Sequence, residues 1–136
     1  GGLVSTAADY HRFCRMLLNG GELDGVRLLA PRTVAAMTQN HLPGGADLEE
    51  FGRPIYAETT YHGSGFGLGF AVVTDPVKAK SFSNRGEFSW GGAASTAFWI
   101  DPVDEVICVF MTQLLPSSTY AVRSELRQLV YQALVD

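Results

Sequence analysis

Residues 88–101 read Phe-Ser-Trp-Gly-Gly-Ala-Ala-Ser-Thr-Ala-Phe-Trp-Ile-Asp, and no other stretch restricts the fold as tightly. The pattern is a strand, a tight turn and a second strand. Gly91 and Gly92 fall where a strand normally carries bulk. Glycine weakens a strand, so a pair of them marks a place where another backbone or a ligand comes close. Trp90 supplies a flat wall beside them. An open backbone edge next to an indole suggests the floor of a small-molecule site. An aromatic followed by a bulge in an ordinary hairpin accounts for the same residues.

Around this hairpin the chain supplies helices at both ends. Ser5-Thr6-Ala7-Ala8-Asp9 is a helix start, with Ser5 or Thr6 as cap and Asp9 in the first turn, where the helix dipole favours negative charge. Tyr10, Phe13, Cys14, Leu17 and Leu18 follow at helical spacing, and Gly20-Gly21 closes the helix. Asp24-Gly25 marks a turn. Pro31 fits the first position of a second helix reaching about Gln39, with Val34 and Met37 buried. Residues 41–64 carry no periodicity and read as a long loop. From Gly65 the period becomes two: Phe66, Leu68, Phe70 and Val72 alternate with small residues, as in one strand with a bulky and a bare face.

Further strands are expected in 81–88, 90–94 and 96–100. Val106–Met111 is continuously apolar, the signature of a strand inside a sheet. Ser117 or Ser118 is expected to cap a last helix. Its buried face is read as Val122, Leu126, Leu129, Val130, Ala133 and Leu134, with Arg123, Glu125 and Arg127 outside. The boundaries are therefore helices in 1–40, a loop in 41–64, antiparallel strands in 65–116 and a helix in 117–136. The fold class is α+β, an antiparallel sheet covered by helices.

The bulk numbers fit one domain or part of one: 136 residues, 46% hydrophobic, with 10 basic against 14 acidic side chains. The eight Arg and two Lys are scattered, which argues against nucleic acid as a partner. No apolar run is long enough to span a bilayer. No signal-peptide pattern is present, and a cytoplasmic location is expected over a periplasmic one. Cys14 and Cys108 lie in apolar patterns and read as buried thiols. His11, His41 and His62 lack a second ligand at metal-binding spacing, so neither a metal nor any other cofactor is expected.

A self-contained catalytic set is missing from the residues. There is no Gly-x-Ser-x-Gly. No Ser is followed three residues later by Lys; Ser124 is followed by Arg127, and an Arg cannot act as a base. No Tyr is followed two residues later by Asn or Ser. A small enzyme built on His62 and a carboxylate such as Asp75 or Glu58 is a third reading without visible geometry.

Six stretches taken in order carry a resemblance. They are 1–9 (Gly-Gly-Leu-Val-Ser-Thr-Ala-Ala-Asp), 27–38 (Arg-Leu-Leu-Ala-Pro-Arg-Thr-Val-Ala-Ala-Met-Thr) and 65–70 (Gly-Phe-Gly-Leu-Gly-Phe). The others are 90–93 (Trp-Gly-Gly-Ala), 98–102 (Phe-Trp-Ile-Asp-Pro) and 110–113 (Phe-Met-Thr-Gln). Together they resemble the C-terminal part of serine β-lactamase-like proteins, the superfamily of class C β-lactamases, D-alanyl-D-alanine carboxypeptidases and family VIII carboxylesterases. That superfamily uses a Ser-x-x-Lys nucleophile motif, a Tyr-x-Asn or Ser-x-Asn element and a Lys-Thr-Gly strand. Only the third falls in this chain, and it departs from the pattern. Trp90 stands at the Lys position, Gly91 at the Thr position, and Gly92 matches the Gly.

The resemblance implies an acyl-enzyme serine hydrolase, with the Trp-Gly-Gly form similar to the esterase branch. Loss of the Lys-Thr pair removes the group that would hold a β-lactam carboxylate, which favours neutral esters. The backbone N–H of Ala93 would be one oxyanion donor, with Trp90, Gly91 and Gly92 binding substrate. Tyr56, Tyr61 and His62 would lie near the rim. The expected partners are a small ester or amide substrate and the N-terminal part of the same protein, or another chain. In the resembling fold the strand matching 105–112 pairs with an N-terminal strand, so alone it would show an apolar edge. The chain by itself is expected to be inert. A binding module that kept the fold without the chemistry is the alternative.

Overall fold

The structure is a computed structural model describing residues 3–52, 61–117 and 119–135. Helix α1, Ala7–Leu18, starts as the sequence suggests. Thr6 is the cap, its Oγ1 accepting the Asp9 N–H at 3.1 Å. A short hairpin follows, β1 (Glu22–Leu23) with β2 (Val26–Arg27), turning at Asp24 and Gly25, both at positive φ. Helix α2, Pro31–Met37, has Pro31 in its first turn and is shorter than expected.

Two expectations fail between residues 41 and 73. The described part of the first stretch is structured. A 3-10 turn at Pro43–Gly45 leads into a short helix α3, Leu48–Phe51. Asp47 and Glu50 form a reciprocal capping box at its start. Secondly, residues 65–72 are two strands. Strand β3 (Ser64–Phe66) folds back on β4 (Ala71–Val73). The Gly67 N–H donates to Phe70 O at 2.8 Å and Gly69 sits at φ 104°, closing the turn. The glycines that mimic a strand's bare face are there for other reasons. A Cβ on Gly67 would lie 2.0 Å from the Met37 carbonyl oxygen.

Strands β5 (Phe88–Gly91), β6 (Ala97–Asp101) and β7 (Val106–Phe110) complete an antiparallel sheet in the order β3-β4-β5-β6-β7. Residues 81–87 run as a loop into β5 and not as part of a strand. One sheet face carries Val72, Phe88, Phe98 and Ile100, which pack with Cys14, Leu17 and Val34 into the main core. Each such side chain removed from water contributes about 1.5–3 kcal/mol. Within the described residues β7 is the sheet's last strand and is half-buried throughout, not enclosed on both sides.

The second face is covered differently. Helix α4, Val122–Ala133, begins at Ala121 without a side-chain cap, so Ser117 does not serve as one; Ser118 lies outside the described residues. Arg123, Arg127 and Tyr131, four residues apart on one helix face, turn toward the sheet, whereas Leu129 is 63% exposed. The expected faces hold only in part: Glu125 is exposed as expected and Val122, Leu126 and Val130 are half-buried, but Leu129, Ala133 and Leu134 are exposed while Arg123 and Arg127 turn inward. The cause lies opposite: Glu87, just before β5, and Asp101, at the end of β6, are both fully buried beside Trp99. Buried carboxyls need hydrogen-bond partners, and an apolar helix face would take away the Tyr131 hydroxyl that lies against both and the Arg127 guanidinium beside Glu87.

Candidate active site

Trp90 pairs with Phe98, and Gly91 with Ala97, at the end of the β5–β6 hairpin. Beyond them residues 92–96 make the turn. The Gly92 N–H donates to Thr96 O at 2.9 Å and the Ser95 N–H to Gly92 O at 3.1 Å. Ser95 is fully buried at φ 67°, a conformation that few side chains other than Asn, Asp and Gly adopt readily. Its hydroxyl donates to Leu114 O at 2.8 Å, and the Leu114 N–H donates to Ala94 O at 3.1 Å. The turn is thus fastened to the chain that leaves β7.

Ala93, at the tip, is exposed. Its N–H, like that of Ala94, donates to no acceptor among the described residues, while the Gly92 and Ser95 amides of the same turn are bonded. The two glycines beside it are less open than their lack of side chains suggests. A Cβ on Gly91 would stand 2.9 Å from Arg123 Cζ, and one on Gly92 would stand 2.4 Å from Thr96 Oγ1.

Trp90 is 39% exposed. Phe66 meets it edge-on at 5.1 Å between centroids, and Tyr61 stacks on it at 6.1 Å. Tyr61 is held in turn by its own N–H, which donates to Glu49 Oε1 of α3 at 3.0 Å. The following turn is locked by Gly63, whose N–H donates to the buried Asp47 carboxylate at 3.0 Å. Burial works against the Asp47 charge. Lys78, 2.7 Å away, and the N–H groups of Gly63 and Glu50 outweigh it and hold the carboxyl at about 2. The capped helix α3 thereby sets one wall of the aromatic group.

Of the residues expected at the site, Tyr61, Trp90, Gly91, Gly92 and Ala93 lie along one end of the sheet. His62 is exposed and makes no ring contact or hydrogen bond with Trp90 or the 92–96 turn. Tyr56 and Glu58 lie outside the described residues. Next to Trp90 a cavity of about 70 Å³ is lined by Tyr61, Ser89, Trp99, Arg123 and Arg127 among others. Among the described residues no three His, Cys, Asp or Glu side chains gather as a metal site.

Three contributors escape sequence reasoning. Ser95 leaves no signal, because its role depends on Leu114. Arg123 reads as an outward charge on its helix. Phe66 reads as a strand residue, with nothing to place it against Trp90.

A family model described as "Beta-lactamase" matches residues 1–132. The chain belongs to the beta-lactamase family. Protein Rv1367c of Mycobacterium tuberculosis (strain ATCC 25618 / H37Rv) is 42% identical over 120 residues, which are 85% of this chain and 29% of that protein. Among solved structures, EstCE1, described as a hydrolase with promiscuous acyltransferase activity, superposes with a TM-score of 0.72 at 25% identity. It is matched over 93% of this chain and 30% of its own length. A LovD6 mutant of simvastatin synthase from Aspergillus terreus gives a TM-score of 0.75 at 21% identity, over 94% of this chain and 33% of its own. The chain thus spans about 30% of the length of the relatives it matches. The family's mixed helix and antiparallel-sheet fold, expected from the six matching stretches, is the one found.

Proposed function

We propose that this chain is the C-terminal segment of a serine hydrolase that works through an acyl-enzyme and prefers neutral carboxylic esters. The attacking Ser and its base lie in another part of the protein. This segment lends the β5 edge, the Trp90 wall and one oxyanion donor, the Ala93 N–H.

The observation that carries the reading is the state of that amide. In a compact turn fastened through the Gly92 and Ser95 amides, the N–H of exposed Ala93 donates to no acceptor among the described residues. Acyl transfer places negative charge on a carbonyl oxygen, and a fixed, unused N–H is the group that stabilises it. The likeness to EstCE1, a hydrolase by its description, supports the same chemistry. Trp90 at the Lys position takes a cation away from the binding edge, which supports an uncharged substrate.

The test compares the 136-residue chain with the whole protein that contains it, using p-nitrophenyl butyrate and a fluorophosphonate that labels activated Ser. The whole protein is expected to turn over the ester and take the label; the isolated chain is expected to do neither. Ala93→Pro removes the N–H and is expected to lower kcat by roughly 100- to 1000-fold, the usual loss for one oxyanion donor. Two results overturn the reading. One is ester turnover by the isolated chain that a serine reagent abolishes. The other is a whole protein that neither turns over nor labels, which leaves the binding-module alternative.

A further inference from the structure

We propose that Arg123 is a positioning residue for the Ala93 N–H, acting through the peptide unit that carries it. The inference rests on the hydrolase reading above.

The Arg123 Nη2 donates to the Gly92 carbonyl at 2.5 Å and to the Thr96 carbonyl at 3.1 Å. Gly92 C=O and Ala93 N–H belong to one planar peptide group. In a trans peptide these two bonds point in opposite directions. A guanidinium that fixes the carbonyl therefore fixes where the N–H points. The bond is charge-assisted, so it is stronger than a neutral one and draws electron density toward the carbonyl oxygen. That makes the N–H at the far end of the same peptide a better donor, as in any polarised hydrogen-bond chain.

Three further details fit. The second bond, to Thr96 O, ties the other side of the turn to the same nitrogen, so the turn cannot rock about Gly92. The Gly92 N–H also donates to Thr96 O, which closes the base of the turn. Gly91 is bare where Arg123 passes: a Cβ there would come within 2.9 Å of Cζ and 3.1 Å of Nη2. One of the two glycines that define the motif therefore makes room for a helix side chain behind the strand. Arg123 itself comes from α4, so the last helix of the fold sets the direction of a donor at the site.

The test uses the whole protein, with Gly labelled at the carbonyl carbon and Ala at nitrogen, so that the Gly92–Ala93 amide is seen directly. Arg123→Gln is expected to shift the Ala93 amide proton upfield and to speed its exchange. It should also lower kcat for p-nitrophenyl butyrate by roughly 10- to 100-fold while KM stays within about twofold, as expected for a misdirected catalytic group. Arg123→Lys should recover part of both. Gly91→Ala, which crowds the guanidinium from the other side, should give the same amide signature. It keeps the test usable if Arg123→Gln fails to fold.

An unmoved Ala93 amide in Arg123→Gln or in Gly91→Ala overturns the proposal, as does unchanged kcat in an ester-hydrolysing protein. A wild-type protein with no esterase activity overturns the hydrolase reading instead. The amide shift then still decides whether Arg123 orients this peptide.

Discussion

The Tyr131 hydroxyl, carried in by α4, lies 2.7 Å from Asp101 Oδ2 at the end of β6. The same oxygen is 2.8 Å from Glu87 Oε2. A phenol has one proton to donate, so two ionised carboxylates cannot both be satisfied by it. Burial drives the Glu87 carboxyl above its usual range, and Arg127 at 3.3 Å only partly opposes this. Burial also acts on Asp101, but hydrogen bonds from Tyr131, Asn84 and the Val103 N–H outweigh it and hold Asp101 low. The consistent arrangement has protonated Glu87 donating to Tyr131 and Tyr131 donating to ionised Asp101.

A pH dependence follows from that proton count. Glu87 keeps its proton better folded than unfolded, so between the unfolded carboxyl pKa, about 4.3, and the raised folded value the native state binds more protons. Stability from this group is therefore present at low pH and lost as pH rises through that window. Asp101 and Asp47, both lowered, act the other way and lose their contribution as pH falls below the normal carboxylate range. Glu87→Gln keeps a donor for Tyr131 and has no proton to lose. The difference between its stability and that of the wild type, measured by urea unfolding from pH 4 to pH 8, should rise with pH in favour of Gln. Parallel pH profiles would refute the shared-proton arrangement.

Gly63→Ala tests how far the aromatic wall depends on α3. Gly63 sits at φ 68°, and a Cβ would be 2.3 Å from Asp75 O and 2.7 Å from the Ala79 nitrogen. Both neighbours are backbone and cannot swing aside. The substitution should cost about 2 kcal/mol or more, from the left-handed conformation and the clash together. It should also disturb the Gly63 bond to Asp47, and with it the stacking of Tyr61 on Trp90. Chemical denaturation followed by Trp fluorescence reads both effects. A loss well under 1 kcal/mol would mean that the 61–63 turn is looser than described.

Features written in contiguous residues are legible in the sequence alone. Thr6 with Asp9, Pro31, Asp24-Gly25 and the 88–101 hairpin each declare themselves through local backbone chemistry. The capping box Asp47-Leu48-Glu49-Glu50 is also local, but the helix it opens has only four residues and no apolar period supports them. The hairpin at 64–73 imitates a single strand because its alternating glycines answer to Met37 and to a turn, neither visible as a period. The inward face of α4 is hidden because apolarity is the ordinary sign of burial. There the sheet offers buried carboxyls and an indole, with the Arg127 guanidinium 5.1 Å from the Trp99 ring centroid. At the site, Ala93 and Trp90 are marked by motif. Ser95 and Arg123 act through partners 19 and 27–31 residues away, which spacing does not reveal.

Trp90→Lys probes the substrate preference. On the proposed hydrolase reading it places a cation at the proposed binding edge, where the resemblance puts a Lys. In the whole protein the ratio of kcat/KM for p-nitrophenyl butyrate to that for the anionic β-lactam nitrocefin should fall, because an opposite charge now meets the β-lactam carboxylate. Stability should drop as well, since the ring contacts with Phe66 and Tyr61 are lost. An unchanged ratio would remove Trp90 from substrate choice.

The outer edge of β7 sets the behaviour of the chain in isolation. Val106–Phe110 pairs with β6 on one side, and no described strand covers the other. Ile107 and Val109 pack against the core, so the strand carries apolar residues along its length. An uncovered apolar edge is a template for another strand. The isolated chain should therefore associate as its concentration rises, in size-exclusion chromatography or sedimentation. Adding the remaining part of the protein in trans should suppress that association by occupying the edge, and amide exchange within 106–110 should slow when it does. A chain that stays monomeric at high concentration, with sharp amide dispersion and slow exchange along β7, would show that the edge is closed without a partner.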